Sequence, residues 1–221
     1  LIRQGLQGIL YHELMTEVRN HKIHFQIVPL ERIELVTRKN HQGVLAWLSL
    51  IEFQSVENLL PMIFEKGEDP LIIALDGVSD VRNFGAIVRS AECLGAHAVV
   101  IPAKGSARIT ADAVKTSAGA LHTLPVCRET SIVRVVQYLK ESGLKVITAA
   151  EKSGAVISES DLKGPAVVIM GSEDKGISRE LTALADRQVR IPMKGGISSL
   201  NVSVAAGIIL YEIARQRSPV S

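Results

Sequence analysis

The chain has 221 residues, 47 % of them hydrophobic but only 4 % aromatic, and a formal net charge of +2. That is apolar material for a small domain joined to a medium one, with an interior of Val, Ile, Leu and Ala, the filling of a parallel sheet covered by helices. So small a charge does not by itself declare a nucleic-acid binder, no apolar run reaches the roughly 20 residues that span a bilayer, and two cysteines, Cys93 and Cys127, suit neither a zinc site nor a disulfide framework. A soluble, cytoplasmic, metal-free chain is expected, with both thiols reduced and buried. It starts at Leu1 without a basic-then-apolar leader, which fits truncation at the start better than secretion.

In chain order, Leu6, Ile9, Leu10, Leu14 and Val18 recur at helical spacing and predict a first helix. Short apolar runs at 25–28 and 44–48 flank a charged stretch at 31–39, so a small α/β module is expected over residues 1–53. Residues 54–69 turn polar and carry Pro61, Gly67, Glu68 and Asp69, the composition of a linker holding at most a helical turn. A second domain is expected over 70–221. There LIIALDG, AHAVVIP, LKVITAA, PAVVIMG and RQVRIPM each join a short apolar core to a terminating Gly, Pro or polar turn, with helical stretches between them. Five such strands alternating with helices predict a mostly parallel, doubly wound α/β sheet.

In such sheets ligands sit beyond the carboxyl ends of the strands. Three polar, glycine-containing segments fall there: GVSDVRNFG at 77–85, GSEDKG at 171–176 and KGGISSLN at 194–201. The second is not a phosphate-binding loop of the triphosphatase type, because Lys175 precedes Gly176 instead of following it. No GxGxxG follows any predicted strand, which disfavours a nicotinamide or flavin enzyme.

Together and in this order, the three segments resemble the SpoU/TrmH family of the SPOUT methyltransferases. Asn83, Gly85 and Arg89 match the first family motif, Gly171, Glu173 and Gly176 the second, and IPMKGGISSLNVSVAAGIILYE at 191–212 the third, with the resemblance covering 71–217. RKNHQGVLA at 38–46 and ARITADAVKTSAGALHTLPV at 107–126 are most similar to the branch that methylates a guanosine ribose in large-subunit (23S) ribosomal RNA. Two alternatives stay open: a transfer-RNA 2′-O-methyltransferase of the same family, and a non-catalytic RNA-binding or ribosome-assembly protein that keeps the fold.

The resemblance implies S-adenosyl-L-methionine as cofactor, RNA as substrate, a homodimer whose apolar C-terminal helix supplies much of the interface, and a C-terminal trefoil knot, an exception to the rule that chains do not thread. It also implies that the first 53 residues are an N-terminally truncated domain like ribosomal protein L30e. Cofactor contacts are expected from Thr148, Ala149, Gly171, Gly176, Ile191, Met193, Ser199 and Leu200. The expected catalytic set is Arg89, Asn83, Glu173, Ser199 and Asn201. Arg89 is favoured as phosphate anchor and alkoxide stabiliser rather than as base, because a guanidinium does not deprotonate in proteins.

Each of these residues also has an ordinary structural reading. Asp80 and Asn83 suit a helix cap, Arg89 a surface side chain, Glu173 a first-turn acid, Ser199 with Asn201 a capping pair, and Met193 a core residue. Helix 202–213 suits core packing and dimer contact equally. His12, His21, His24 and His41, with Arg19, Lys22, Arg32, Arg38 and Lys39, lack metal-ligand spacing and read as a solvated face. Their functional version is RNA contact through Arg38, Lys39 and His41, with Trp47 available to stack, extended by Lys104, Arg108 and Lys115 in the second domain.

Overall fold

The computed structural model describes residues 1–21, 23–46, 50–150, 154–196 and 199–217. Lys22 and Trp47, expected at an RNA surface, and residues 197 and 198 of the third motif lie outside the described residues. The chain divides into two compact units, Leu1–Ser49 and Leu50–Ser221.

In the first unit, β1 (Ile2–Arg3) pairs in parallel with β2 (Ile27–Val28). Helix α1 (Ile9–Asn20) connects them, α2 (Leu30–Glu34) follows, and Val44 bridges Ile2. The buried stripe of α1 matches the expected one at Leu14 and Val18 but not at Ile9 and Leu10. Met15 and Val18 are buried with Tyr11 and Leu14 half-buried, at i, i+3, i+4 and i+7, while Ile9 and Leu10 face solvent.

The second unit is built on one sheet. Its strands are β3 (Phe53–Gln54), β4 (Leu71–Asp76), β5 (Ala98–Pro102), β6 (Val126–Glu129), β7 (Lys145–Ala149), β8 (Ala155–Val156), β9 (Ala166–Gly171) and β10 (Arg187–Arg190). The eight lie in the order β3-β6-β5-β4-β9-β7-β10-β8, every described pairing parallel. This is the expected α/β class, and the five expected strands are β4, β5, β7, β9 and β10.

Helices cover both faces, so the central strands are buried on both sides and their successive residues enter two different cores. Leu71, Ile73, Leu75, Val168 and Met170 pack with α4 (Val81–Cys93), α5 (Ala111–Thr116) and α8 (Val202–Arg217). Ile72, Ala74, Val167 and Ile169 pack with α3 (Val56–Glu65), α6 (Ile132–Glu141) and α7 (Arg179–Ala183).

The stretch expected as a linker belongs to this unit. β3 pairs with β6, and α3 runs through Pro61 and buries Val56, Leu60 and Ile63. A proline inside a helix costs about 3 kcal/mol, and burial of three aliphatic side chains, each worth roughly 1.5–3 kcal/mol, offsets it. Of the thiols expected to be buried, Cys127 is, and burial, helped by the charge of Glu129, pushes it up to about 12. Cys93, on α4, is exposed. No helix among the described residues is long and apolar enough to cross a membrane.

β4 is followed by β5 and β6 to one side, and the chain then returns to build β7 on the other. The order reverses at β4, and β9 later fills the position between β4 and β7. Asp76 and Gly171 stand opposite each other at the carboxyl ends of β4 and β9. The crevice that a doubly wound sheet offers at its switch point therefore opens between the first and second motifs.

Candidate active site

Asp76 ends β4, and its carboxylate reaches across to accept the Ser178 N–H at 2.7 Å. That bond pins the far end of the loop leaving β9. Within the loop, Ser172 O accepts from Gly176 N at 2.8 Å and Ser172 Oγ from Lys175 N at 3.2 Å. The chain thus folds back onto its own start. A Cβ on Gly171 would collide with backbone atoms of Gly176 and Ile177, and Gly176 itself takes a φ of 66°. Both glycines of the second motif are therefore demanded by geometry, one by close approach and one by a left-handed backbone.

After Gly77, α4 begins with Asp80 as its cap, its Oδ1 accepting Asn83 N at 2.7 Å. Phe84, Ile87, Val88 and Ala91 anchor the helix in the core. Gly85 is its contact with α5: an added Cβ would lie 2.8 Å from Thr116 Cβ and 2.9 Å from Ala113 O. Asn201 caps α8, its Oδ1 accepting from Ser203 N at 2.9 Å and Ser203 Oγ at 2.6 Å. The capping readings of Asp80 and Asn201 hold, and capping leaves the other groups of Asn201 free for a second task.

That task is visible in the side-chain network. Asn201 Nδ2 donates to Asn83 Oδ1 at 2.9 Å and to Glu173 Oε1 at 2.7 Å. Glu173 Oε1 also accepts from Asn83 Nδ2 at 3.2 Å and from Val202 N at 3.3 Å. One residue from each motif closes a triangle, across sequence separations of 90, 118 and 28 residues. The carboxylate sits at the amino end of α8, where backbone N–H groups and the helix dipole favour negative charge. Arg89 is not part of it. It is exposed on α4 and makes no hydrogen bond or ion pair with any described residue, so Glu173 does not orient it here.

Glu173 and Asn201 border a cavity of about 480 Å³, within the usual range for small-molecule sites. Of the residues expected at a cofactor, Ala149, Gly171, Gly176, Ile191, Met193, Ser199 and Leu200 line it. Thr148 does not: it is buried, with its hydroxyl 3.5 Å from Arg187 O, and strand alternation hands the cavity position to Ala149. Met193, readable as core, is 39 % exposed at the cavity wall. Sequence reasoning missed Ala150, Met170, Ile177, Val189, Val202, Ala205 and Ile209, which complete the apolar wall. Nothing distinguishes them from ordinary core residues except the strand or helix end they occupy. It also missed Asp76, whose one signal is an acid closing an apolar strand just before a glycine.

The expected RNA contacts are distributed over both units. In the first, Arg38 and Lys39 are exposed and His41 is half-buried, with its Nδ1 accepting from Gly43 N at 2.9 Å. Arg38 and His41 border a groove shared with Glu31 and Glu34, so its charge is mixed. In the second unit Arg108 and Lys115 are exposed. Among the described residues no group of three His, Cys, Asp or Glu is arranged to hold a metal.

The pattern of the SpoU rRNA Methylase family matches residues 70–211. The 23S rRNA (guanosine-2′-O-)-methyltransferase RlmB of Pseudomonas aeruginosa is 41 % identical over 81 % of this chain and 73 % of its own length. RlmB of Photobacterium profundum is 38 % identical over 92 % of this chain and 83 % of its own. Among solved structures, the SpoU methyltransferase AviRb from Streptomyces viridochromogenes, in complex with AdoMet, superposes with a TM-score of 0.62 and 32 % identity, over 67 % of this chain and 60 % of that one. This chain therefore spans less than two thirds of that solved chain. A family pattern covering more than half of the residues, and relatives of this identity along most of their own length, place the chain in the SpoU rRNA methylase family.

Proposed function

We propose that the chain transfers a methyl group from S-adenosylmethionine to a ribose 2′-hydroxyl of RNA, on a guanosine of 23S ribosomal RNA. The observation that carries this reading is the triangle of Asn83, Glu173 and Asn201 at an apolar cavity. A protein that only binds RNA has no use for three polar side chains fixed by one another beside a pocket of nucleoside size. The names of the RlmB relatives support the guanosine and the ribosomal RNA, and the AdoMet complex of AviRb supports the donor.

The cavity suits that donor. Ile191, Leu200 and Ile209 offer an apolar slot for a flat base, and the tight Gly171–Gly176 turn brings main chain rather than side chains to its edge. Ala149, Met193 and Ser199 complete the assigned contacts, with Thr148 acting from behind by fixing the end of β7. When bound, S-adenosylmethionine supplies an electrophilic methyl group on a sulfonium. The chain's task is then to align the ribose oxygen with it and to favour loss of the hydroxyl proton. Glu173 holds the amides of Asn83 and Asn201 in one orientation. Ser199 and Asn201 face the nucleoside beside the methyl donor, and Arg89, free of other partners, anchors a phosphate and stabilises the developing alkoxide. Solvent takes the proton.

The wider assembly belongs to the same proposal. A C-terminal trefoil knot closing the cavity is part of it. The unit Leu1–Ser49 acts as an L30e-like RNA-binding module through Arg38, Lys39 and His41, and the second unit carries RNA contacts of its own at Arg108 and Lys115. Val204, Ile208 and Tyr211, spaced 4 and 3 apart on α8, are 50, 37 and 60 % exposed, and this stripe is the proposed homodimer face.

Calorimetric titration of the purified protein with S-adenosylmethionine, and with ATP and NAD as controls, tests the reading. Saturable binding of the methyl donor alone is expected; its absence sinks the assignment. Arg89→Ala is expected to keep that binding while methyl transfer falls at least about tenfold, roughly 1.4 kcal/mol of transition-state stabilisation. Unchanged turnover removes Arg89 from the mechanism.

A further inference from the structure

Arg82 stands in the first turn of α4, between the cap Asp80 and the network residue Asn83. A cation there is electrostatically misplaced, because the amino end of a helix carries partial positive charge and disfavours it by about 0.3–1 kcal/mol. The Asp80 carboxylate offsets part of this as the cap of the helix, but the first turn of α4 holds no acid, and Arg82 makes no hydrogen bond or ion pair with any described residue. The side chain is exposed, so it does not contribute packing either.

Two further placements give this charge a purpose. Arg82 and Arg89 are seven residues apart on α4, hence on the same face and about 10.5 Å apart along the axis. Ala86, the residue between them on that face, is small and half-buried, so the ground separating the two guanidiniums is low. Arg108 joins from another element. Ala107 N donates to Val78 O at 3.0 Å, which ties the loop after β5 to the loop after β4 and sets the exposed, unpartnered Arg108 beside the start of α4.

We propose that Arg82 is a substrate-positioning residue that, with Arg108 beside it, binds a backbone phosphate of the RNA strand next to the one held by Arg89. The inference rests on the RNA 2′-O-methyltransferase reading above. Arg82 acts on strand register and not on the reacting atoms, so its loss raises KM and leaves the chemical step nearly intact.

The test is Arg82→Ala and Arg82→Lys in the full chain, with unmodified large-subunit ribosomal RNA as substrate. For Arg82→Ala a KM for RNA raised about tenfold is expected, with kcat changed less than twofold and S-adenosylmethionine affinity unchanged. The slope of log K against log[salt] for RNA binding is expected to shrink by about 0.7–0.9, one phosphate contact. Arg82→Lys is expected to restore the slope and only part of the KM, since an ammonium lacks the planar fork. The melting midpoint of Arg82→Ala is expected to equal or exceed that of the parent, which a merely structural arginine would not give. A parent protein that neither binds the methyl donor nor methylates RNA overturns the underlying function and this role with it. A parent that does both, with Arg82→Ala matching it in KM and salt slope, overturns the role of Arg82 alone.

Discussion

Replacing Gly171 by Ala puts the assigned second motif under direct strain. The added Cβ meets the Gly176 carbonyl and the Ile177 nitrogen, main-chain atoms that cannot rotate aside. The 172–178 loop must move outward by on the order of 1 Å, an overpacking that typically costs about 1–3 kcal/mol. At about 2–4 °C per kcal/mol for a chain of this size, the melting midpoint should fall by roughly 2–12 °C. The pocket should suffer more than the fold, because Gly171, Ser172, Glu173, Gly176 and Ile177 all line it. Calorimetric titration should show at least a tenfold loss of S-adenosylmethionine affinity. Gly85→Ala is the contrast, since its Cβ meets Thr116 and Ala113 of α5, which do not line the cavity. It should lower the midpoint comparably and leave donor affinity within about threefold, or about 0.7 kcal/mol. If Gly171→Ala binds the donor and melts like the parent, the argument from close approach is wrong.

Asn201→Ala removes the α8 cap, worth about 1 kcal/mol, together with both Nδ2 bonds of the triangle; melting should drop modestly, and single-turnover methyl transfer should fall more than tenfold. Glu212 is held down from an ordinary 4.5 to about 2 by hydrogen bonds from Arg215 and then Gln216. A carboxylate depressed in the folded state contributes stability that is present above the unfolded value and lost as pH falls through 4.5 towards 2. That contribution is at most about 3 kcal/mol, discounted to roughly 1–2 because Arg215 is half exposed. Denaturant titrations at pH 6 and pH 3 should show Glu212→Gln losing less stability on acidification than the parent. Ile208→Glu should shift the protein to monomers in light scattering while α8 stays folded; an unchanged mass removes the proposed dimer stripe.

Legibility in the sequence followed burial. Strands covered on both faces are aliphatic runs, which is why β4, β5, β7 and β9 could be read directly, whereas β6, with the sequence VCRE, shows only a short apolar start before two charges, and β10, with the sequence RQVR, buries Val189 alone. The misread linker is instructive. Pro61 and the Gly67–Glu68–Asp69–Pro70 turn are true local breakers, yet long-range packing of Val56, Leu60 and Ile63 decides the helix between Ser55 and Lys66. On α1 the face was right at Leu14 and Val18 and wrong in the first turn, where the pattern selects the adjacent aliphatic residues Ile9 and Leu10 in place of Tyr11 and Met15.

At the site the division is different. Asn83, Glu173 and Asn201 were legible because each falls on a motif of the family that the chain resembles; taken singly they read as cap and first-turn residues, and the fold joins them in one network. The apolar wall was not legible, since Val189, Ile209 and Met170 look like every other core residue until the sheet order makes their strand and helix ends converge. Thr148 shows the resolution limit of a motif: an error of one residue on a strand exchanges a cavity position for a buried one. Arg89 and Arg82 sit at the opposite pole. The roles proposed for them rest on what the folded chain does not give them, a partner, so an unpaired arginine becomes informative only after the hydrogen bonds and ion pairs around it have been assigned. Charge without a partner near a pocket is where the substrate's own charge is expected to enter.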